Sequence, residues 1–284
     1  MKIFRWGDAG RERPGMIDCQ GERRDLGGVI DDWRGAALSS GQLRRLHGLD
    51  ARTLPRVPAQ ARLGPCIAGV GKIICVGLNY RDHAREAGMA LPTEPILFLK
   101  AASAITGPFD AIEIPPGAAK VDWEVELGIV IGQDGRYLEP GRVMEHVAGY
   151  CLFNDVSERA YQLERGGQWD KGKCADTFAP LGPYLVTPDE ITDVQDLPLW
   201  MEVDGVRRQD GSTRDMIFGV AELLAYVSRF MSLQAGDIIA TGTPAGVGMG
   251  LRPPVYLAPG QRVRAGIGGL GEQDNPVVAA GAGL

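Results

Sequence analysis

Residues 121–131 restrict the fold more than any other stretch. Trp123, Val125, Leu127, Ile129 and Ile131 alternate with Asp122, Glu124, Glu126, Gly128 and Val130. Successive side chains of a strand point to opposite faces, so this period of two predicts a long strand with one fully apolar face, placed in the middle of a sheet. Shorter strands are signalled around it. Residues 72–77 and 96–99 are brief apolar runs, and 237–241 leads into a glycine-rich loop at 242–250. Residues 199–203 and 206–208 flank Asp204-Gly205, a strong hairpin signal. Forty glycines and 19 prolines in 284 residues favour many turns over long helices. Helices are expected at 43–49, at 80–87 behind Asn79, and at 156–165 with Asp155 and Glu158 as a capping box. Val220, Leu223, Leu224, Val227 and Met231 recur at helical spacing. The fold expected is mainly β (α+β), with a small N-terminal domain over 1–70 and a larger one over 71–284.

Charge and cysteine usage narrow the function. Thirty basic against 36 acidic side chains give a net charge of −6, which argues against a nucleic-acid partner. No apolar run reaches the ~18 residues of a membrane span, and the N-terminus lacks a signal-peptide core. Five cysteines without a CxxC pair read as reduced thiols in a cytoplasmic protein, with neither a zinc site nor a disulfide framework.

Five groups of residues could carry chemistry. Glu124 and Glu126, two apart on a strand, point the same way with their Cβ atoms ~7 Å apart. Asp122 would share that face. Such a row reads either as a solvated face or as a site for a hard cation, because stacked carboxylates repel unless a cation lies between them. All-oxygen ligands suit Mg²⁺, Mn²⁺ or Ca²⁺. Asp155, Arg159 and Gln162 would share one helix face, as a cap with an ion pair or as a ligand beside an anion-binding fork. His83 and Glu86, three apart, read as a surface pair or as a base oriented by a carboxylate. Lys173 is a solvated loop lysine or an oxyanion stabiliser. The loop from Thr241 to Gly248 is not a P-loop, since it lacks the Gly-Lys-Ser/Thr ending, but its backbone N–H groups could grip a small anion.

Taken in order, these signals resemble the fumarylacetoacetate hydrolase family over about three-quarters of the chain, from Lys72 to about Val278. The matching stretches are residues 75–86, with Asn79-Tyr80-Arg81-Asp82-His83-Ala84-Arg85-Glu86 at their end, then Asp122-Trp123-Glu124-Val125-Glu126-Leu127, then Asn154-Asp155 through Gln162, then Asp176-Thr177-Phe178-Ala179-Pro180-Leu181-Gly182-Pro183, then Gly236-Asp237 through Gly248. The resemblance implies a mixed β-sandwich roll and one divalent cation, Mg²⁺ or Mn²⁺, held by Glu124, Glu126 and Asp155. It implies a water-activating dyad of His83 and Glu86, an oxyanion contact from Lys173, and substrate contacts from Tyr80, Lys100, Arg159, Gln162 and Thr243. Larger eukaryotic members carry a fourth metal carboxylate where this chain has Val76, so the chain is similar to the shorter, three-carboxylate branch. The implied reaction is hydrolysis of the C3–C4 bond of a 2,4-diketo acid. The N-terminal unit and residues 88–95 resemble bacterial enzymes that split 2,4-diketo-3-deoxy-L-rhamnonate or L-fuconate into pyruvate and lactate. A homodimer is implied as well. Oxaloacetate-type decarboxylation, 2-oxo-dioate hydration or isomerisation, and a non-enzymatic β-rich binding module are the alternatives.

Overall fold

The computed structural model describes residues 1–281, and its architecture is mainly β, as the turn density requires. A nine-stranded sheet runs in the order Arg23–Asp25, Arg13–Ile17, Lys2–Trp6, Leu185–Val186, Val147–Asn154, Val125–Ile131, Ile238–Ala240, Ile73–Gly77, Ile96–Lys100. A five-stranded sheet, Val206–Ser212, Pro198–Val203, Arg262–Ile267, Gly271–Ala279 and Ile112–Ile114, packs on its two central strands. The Asp204-Gly205 hairpin forms as expected, with both turn residues at positive φ. Among the described residues no helix is long and apolar enough to cross a membrane, and all five cysteines are free thiols.

Two buried glutamines join the sheets where hydrophobic packing alone would leave backbone groups unpaired. Gln273 Nε2 donates to the carbonyls of Leu152, Pro180 and Gly182. Gln209 Oε1 accepts from Val125 N, while its Nε2 donates to Thr243 Oγ1 and Pro244 O. Satisfying buried backbone groups in this way avoids about 1–3 kcal/mol for each that would otherwise go unpaired.

The N-terminal strands are hydrogen-bonded onto the large sheet. Ile3 pairs with Leu185, and Ile3, Trp33 and Leu38 lie in the same buried core as Leu127 and Leu152. The expected boundary near residue 70 falls in a stretch without regular secondary structure that leads into Ile73–Gly77.

Some local expectations need correction. The long strand is interrupted: Val121–Asp122 and Val125–Ile131 are separate, because Trp123 N turns back to Asp122 Oδ1 and Glu124 N donates to the Asn154 side chain. Both faces of Val125–Ile131 are buried, so Glu126 is enclosed and the polar face is not solvated. The helix after Asp155 is only Arg159–Leu163, capped by Glu158, since Ser157–Glu158 first pairs with Val121–Asp122. Asn79 does not cap Arg81–Glu86. It is fully buried and bridges Phe218 and Thr241.

Candidate active site

Antiparallel pairing brings the acids together. Asn154 lies opposite Val125 and Phe153 opposite Glu126, so the start of one central strand and the end of the other share one edge of the sheet. Asp155, immediately beyond, donates its N–H to Glu124 O. Ligand oxygens of Glu124, Glu126 and Asp155 therefore lie within 4.8 Å of one another, all three residues buried.

Three cations surround them. Lys173, at the end of the short helix Asp170–Lys173, places Nζ 2.7 Å from both Glu124 Oε2 and Asp155 Oδ2 and 4.9 Å from the Phe98 ring centroid. Lys100 Nζ is 2.6 Å from Asp155 Oδ1 and 2.9 Å from Val156 O. Arg159 reaches Asp122 Oδ2 through Nε, Gln162 Oε1 through Nη1 and Glu124 Oε1 through Nη2. Burial alone would raise the Glu124 pKa, but Arg159 and Lys173 prevail and hold it down to about 2. Burial would discharge Lys173, yet Asp155 and Glu124 raise its pKa, so it stays an ammonium.

Glu126 is different. It makes no ion pair among the described residues and accepts only from Gly242 N, at 2.8 Å. Burial, followed by Asp155 and Glu124, raises its pKa well above the ordinary carboxylate range. A carboxylate so placed is the member of the cluster that would gain most from a further cation. The donor set, three carboxylates without histidine or cysteine, fits a hard divalent ion such as Mg²⁺ or Mn²⁺.

Glu124 and Glu126 border a cleft of about 440 Å³. His83 and Glu86 line it from the helix Arg81–Glu86, with His83 Nδ1 3.1 Å from Glu86 Oε2. Gly246 N donates to the other Glu86 oxygen and fixes the carboxylate. A carboxylate on Nδ1 favours the tautomer with its proton there and leaves Nε2 as the base. Phe98, Leu163 and Trp169 make part of the wall apolar.

Of the residues expected to contact substrate, Arg159, Gln162 and Thr243 line the cleft, as does Lys173. The Thr243 hydroxyl is engaged with Val125 O and Gln209. Lys100 and Tyr80 lie behind the wall: Lys100 supports Asp155, and Tyr80 is fully buried with no partner for its hydroxyl. Most N–H groups of the loop after Ile238–Ala240 are already engaged within the protein. Glu126, Asp82, Glu86 and Asp122 already accept from Gly242, Ala245, Gly246, Gly248 and Met249. Gly242 suits this crowding, with φ +93° and only 2.8 Å from a would-be Cβ to Asn79 Cβ. The sequence reading missed Gln209 and the satisfied role of Asp122. A glutamine inside a polar hairpin strand carries no local signal of burial.

Comparison with known proteins shows the family and the fold. The family model for the fumarylacetoacetate hydrolase C-terminal region matches residues 72–278. A Burkholderia multivorans protein named "Putative hydrolase" is 57% identical over 274 residues, 96% of this chain and 97% of that protein. A solved fumarylacetoacetate hydrolase from Exiguobacterium antarcticum is 40% identical with a TM-score of 0.83, covering 98% of this chain and 99% of that one. Maleylpyruvate hydrolase from Sphingobium sp. SYK-6, solved with manganese(II) and pyruvate, is 30% identical with a TM-score of 0.82 over 98% and 99%. A 2-hydroxyhepta-2,4-diene-1,7-dioate isomerase from Mycobacterium marinum is 31% identical with a TM-score of 0.77 over 99% of each chain.

Proposed function

Since the chain belongs to the fumarylacetoacetate hydrolase family, we propose that it hydrolyses the C3–C4 bond of a 2,4-diketo acid in a divalent-cation-dependent reaction. The observation that carries this reading is a His83–Glu86 pair facing the cleft that Glu124 and Glu126, two members of a buried carboxylate triad, border. Glu124, Glu126 and Asp155 would hold one Mg²⁺ or Mn²⁺, whose Lewis acidity would stabilise negative charge developing on the pyruvoyl fragment.

The chain's own groups supply the rest. Arg159 and Gln162 bind and orient the substrate's oxygens at the rim of the acid cluster. His83 Nε2 takes a proton from water while Glu86 holds Nδ1–H and steadies the imidazolium. The hydroxide adds to C4, and the Lys173 ammonium stabilises the oxyanion there. The C3–C4 bond then breaks, the acyl half leaves as a carboxylic acid, and the proton held on His83 returns to C3 to give pyruvate. Phe98, Leu163 and Trp169 limit competing water.

The substrates proposed first are the sugar-derived 2,4-diketo-3-deoxy-L-rhamnonate and L-fuconate, giving pyruvate and lactate. The proposal includes a homodimer acting in the cytoplasm, without nucleic-acid or membrane partners. Incubating the purified protein with acylpyruvates and Mg²⁺ or Mn²⁺, and following loss of the diketo absorbance and release of pyruvate, tests it. The likeness to an isomerase favours a second reading, isomerisation of a 2-oxo-dioate. In that case absorbance would shift without pyruvate release. Oxaloacetate decarboxylation would release pyruvate and CO₂ without needing His83, and a binding module would show no divalent-dependent turnover.

A further inference from the structure

Asp122 belongs to neither the acid triad nor the dyad, yet it lies between them. It is fully buried, and each of its oxygens takes two donors. Oδ1 accepts from Trp123 N at 2.8 Å and Gly248 N at 2.6 Å, and Oδ2 accepts from Met249 N at 3.0 Å and Arg159 Nε at 2.8 Å. Two walls of the cleft therefore meet on one carboxylate. On one side is Arg159, whose outer nitrogens reach Gln162 and Glu124. On the other is the loop through Val247, Met249 and Gly250, which lines the cleft and whose Gly246 N holds Glu86. Trp123 strengthens this junction, since its Nε1 donates to Gly246 O at 3.1 Å.

The arginine is not saturated. Arg159 is 4% exposed, and its contacts to Asp122, Gln162 and Glu124 use one N–H on each nitrogen, which leaves a second N–H on each outer nitrogen. A guanidinium N–H left over at a cleft wall is available to a ligand oxygen. Its direction depends on what holds Nε, because a planar fork anchored on its inner edge can rotate little.

We propose that Asp122 is a positioning residue: it fixes the Arg159 fork and the Gly246–Gly250 loop relative to each other, so that a substrate carboxylate gripped by Arg159 is presented to the dyad at a set distance. The inference rests on the reading of the cleft as a site for a 2-oxo acid. Displacements of about 1 Å in such frameworks can cost on the order of 100-fold in rate.

The test is pyruvate binding in the presence of Mn²⁺, measured by calorimetry on the full chain, with thermal unfolding followed alongside. Asp122→Asn puts an N–H donor where two donors already point, and is expected to weaken pyruvate binding about tenfold. Arg159→Gln should weaken it as much, and the double variant should be no weaker than Arg159→Gln alone, because both changes break one unit. Arg159→Lys decides the matter even if Asp122→Asn does not fold. Lysine keeps the charge but cannot hold Asp122 and also face a ligand, so it should bind pyruvate as poorly as glutamine. Wild-type affinity in Arg159→Lys, or in a folded Asp122→Asn, would overturn the proposal. If no diketo acid is hydrolysed but these losses in binding appear, the proposed reaction fails and the positioning role stands. If diketo acids are hydrolysed and binding is undiminished in the variants, the reaction stands and the positioning role fails.

Discussion

In the proposed reaction His83, Glu126 and Glu124 carry different parts of the chemistry, and single substitutions should separate them. His83→Ala removes the proposed base but no carboxylate of the triad, so divalent affinity measured by calorimetry should stay within about threefold while hydrolysis falls at least 100-fold. Glu126→Gln should weaken both together. The two glutamates also predict opposite pH responses of the metal-free protein. Glu124 is held at about 2 against an ordinary 4.5, so its contribution is present above 4.5 and is lost as pH falls towards 2. Glu126 is raised well above 4.5, so the folded state holds an extra proton and stability declines as pH climbs from 4.5 towards that raised value. Thermal unfolding against pH should therefore fall on both sides in the metal-free protein. Added Mn²⁺ should remove the decline on the alkaline side, since the ion replaces the proton. A metal-free profile that keeps rising above pH 4.5 would contradict the placement of Glu126.

The strands and the loop around the site depend on long-range polar links more than on their own sequences. Gln209→Ala leaves Val125 N without an acceptor and Pro244 O without a donor inside the sandwich. It should cost at least about 2 kcal/mol, read as a fall in Tm on the order of 4–8 °C. Gln209 also explains why parts of this region were not legible in the sequence. The period of two gave the central strand, because alternation is a local property of residues 125–131, but Glu124 lies just outside it. The break at Trp123–Glu124 is set by the Asp122 and Asn154 side chains bonding to backbone, which period alone does not reveal. Asp155 looked like a helix cap because Asp followed by Glu three residues on is a good cap locally. Its pairing with Glu124 depends on the register of two strands 30 residues apart, and only the family resemblance hinted at that convergence.

Across the fold, the site edge and the N-terminal strands are parts of one sheet. Lys2–Trp6 covers the edge of Leu185–Val186, which in turn pairs with the strand ending at Asn154. Starting the chain at residue 71 would bare that edge and remove Ile3, Trp33 and Leu38 from the shared core. Such a truncation should be insoluble or unfolded by circular dichroism, and a soluble fragment that still binds Mn²⁺ would show the N-terminal unit to be dispensable. The most direct measurement is pyruvate release from an acylpyruvate by the purified protein, with and without EDTA and with His83→Ala alongside. Release that requires Mg²⁺ or Mn²⁺ and is lost with His83 is the expected result. Release that persists in EDTA, or that survives the loss of His83, would contradict a metal-assisted hydrolysis driven by the dyad.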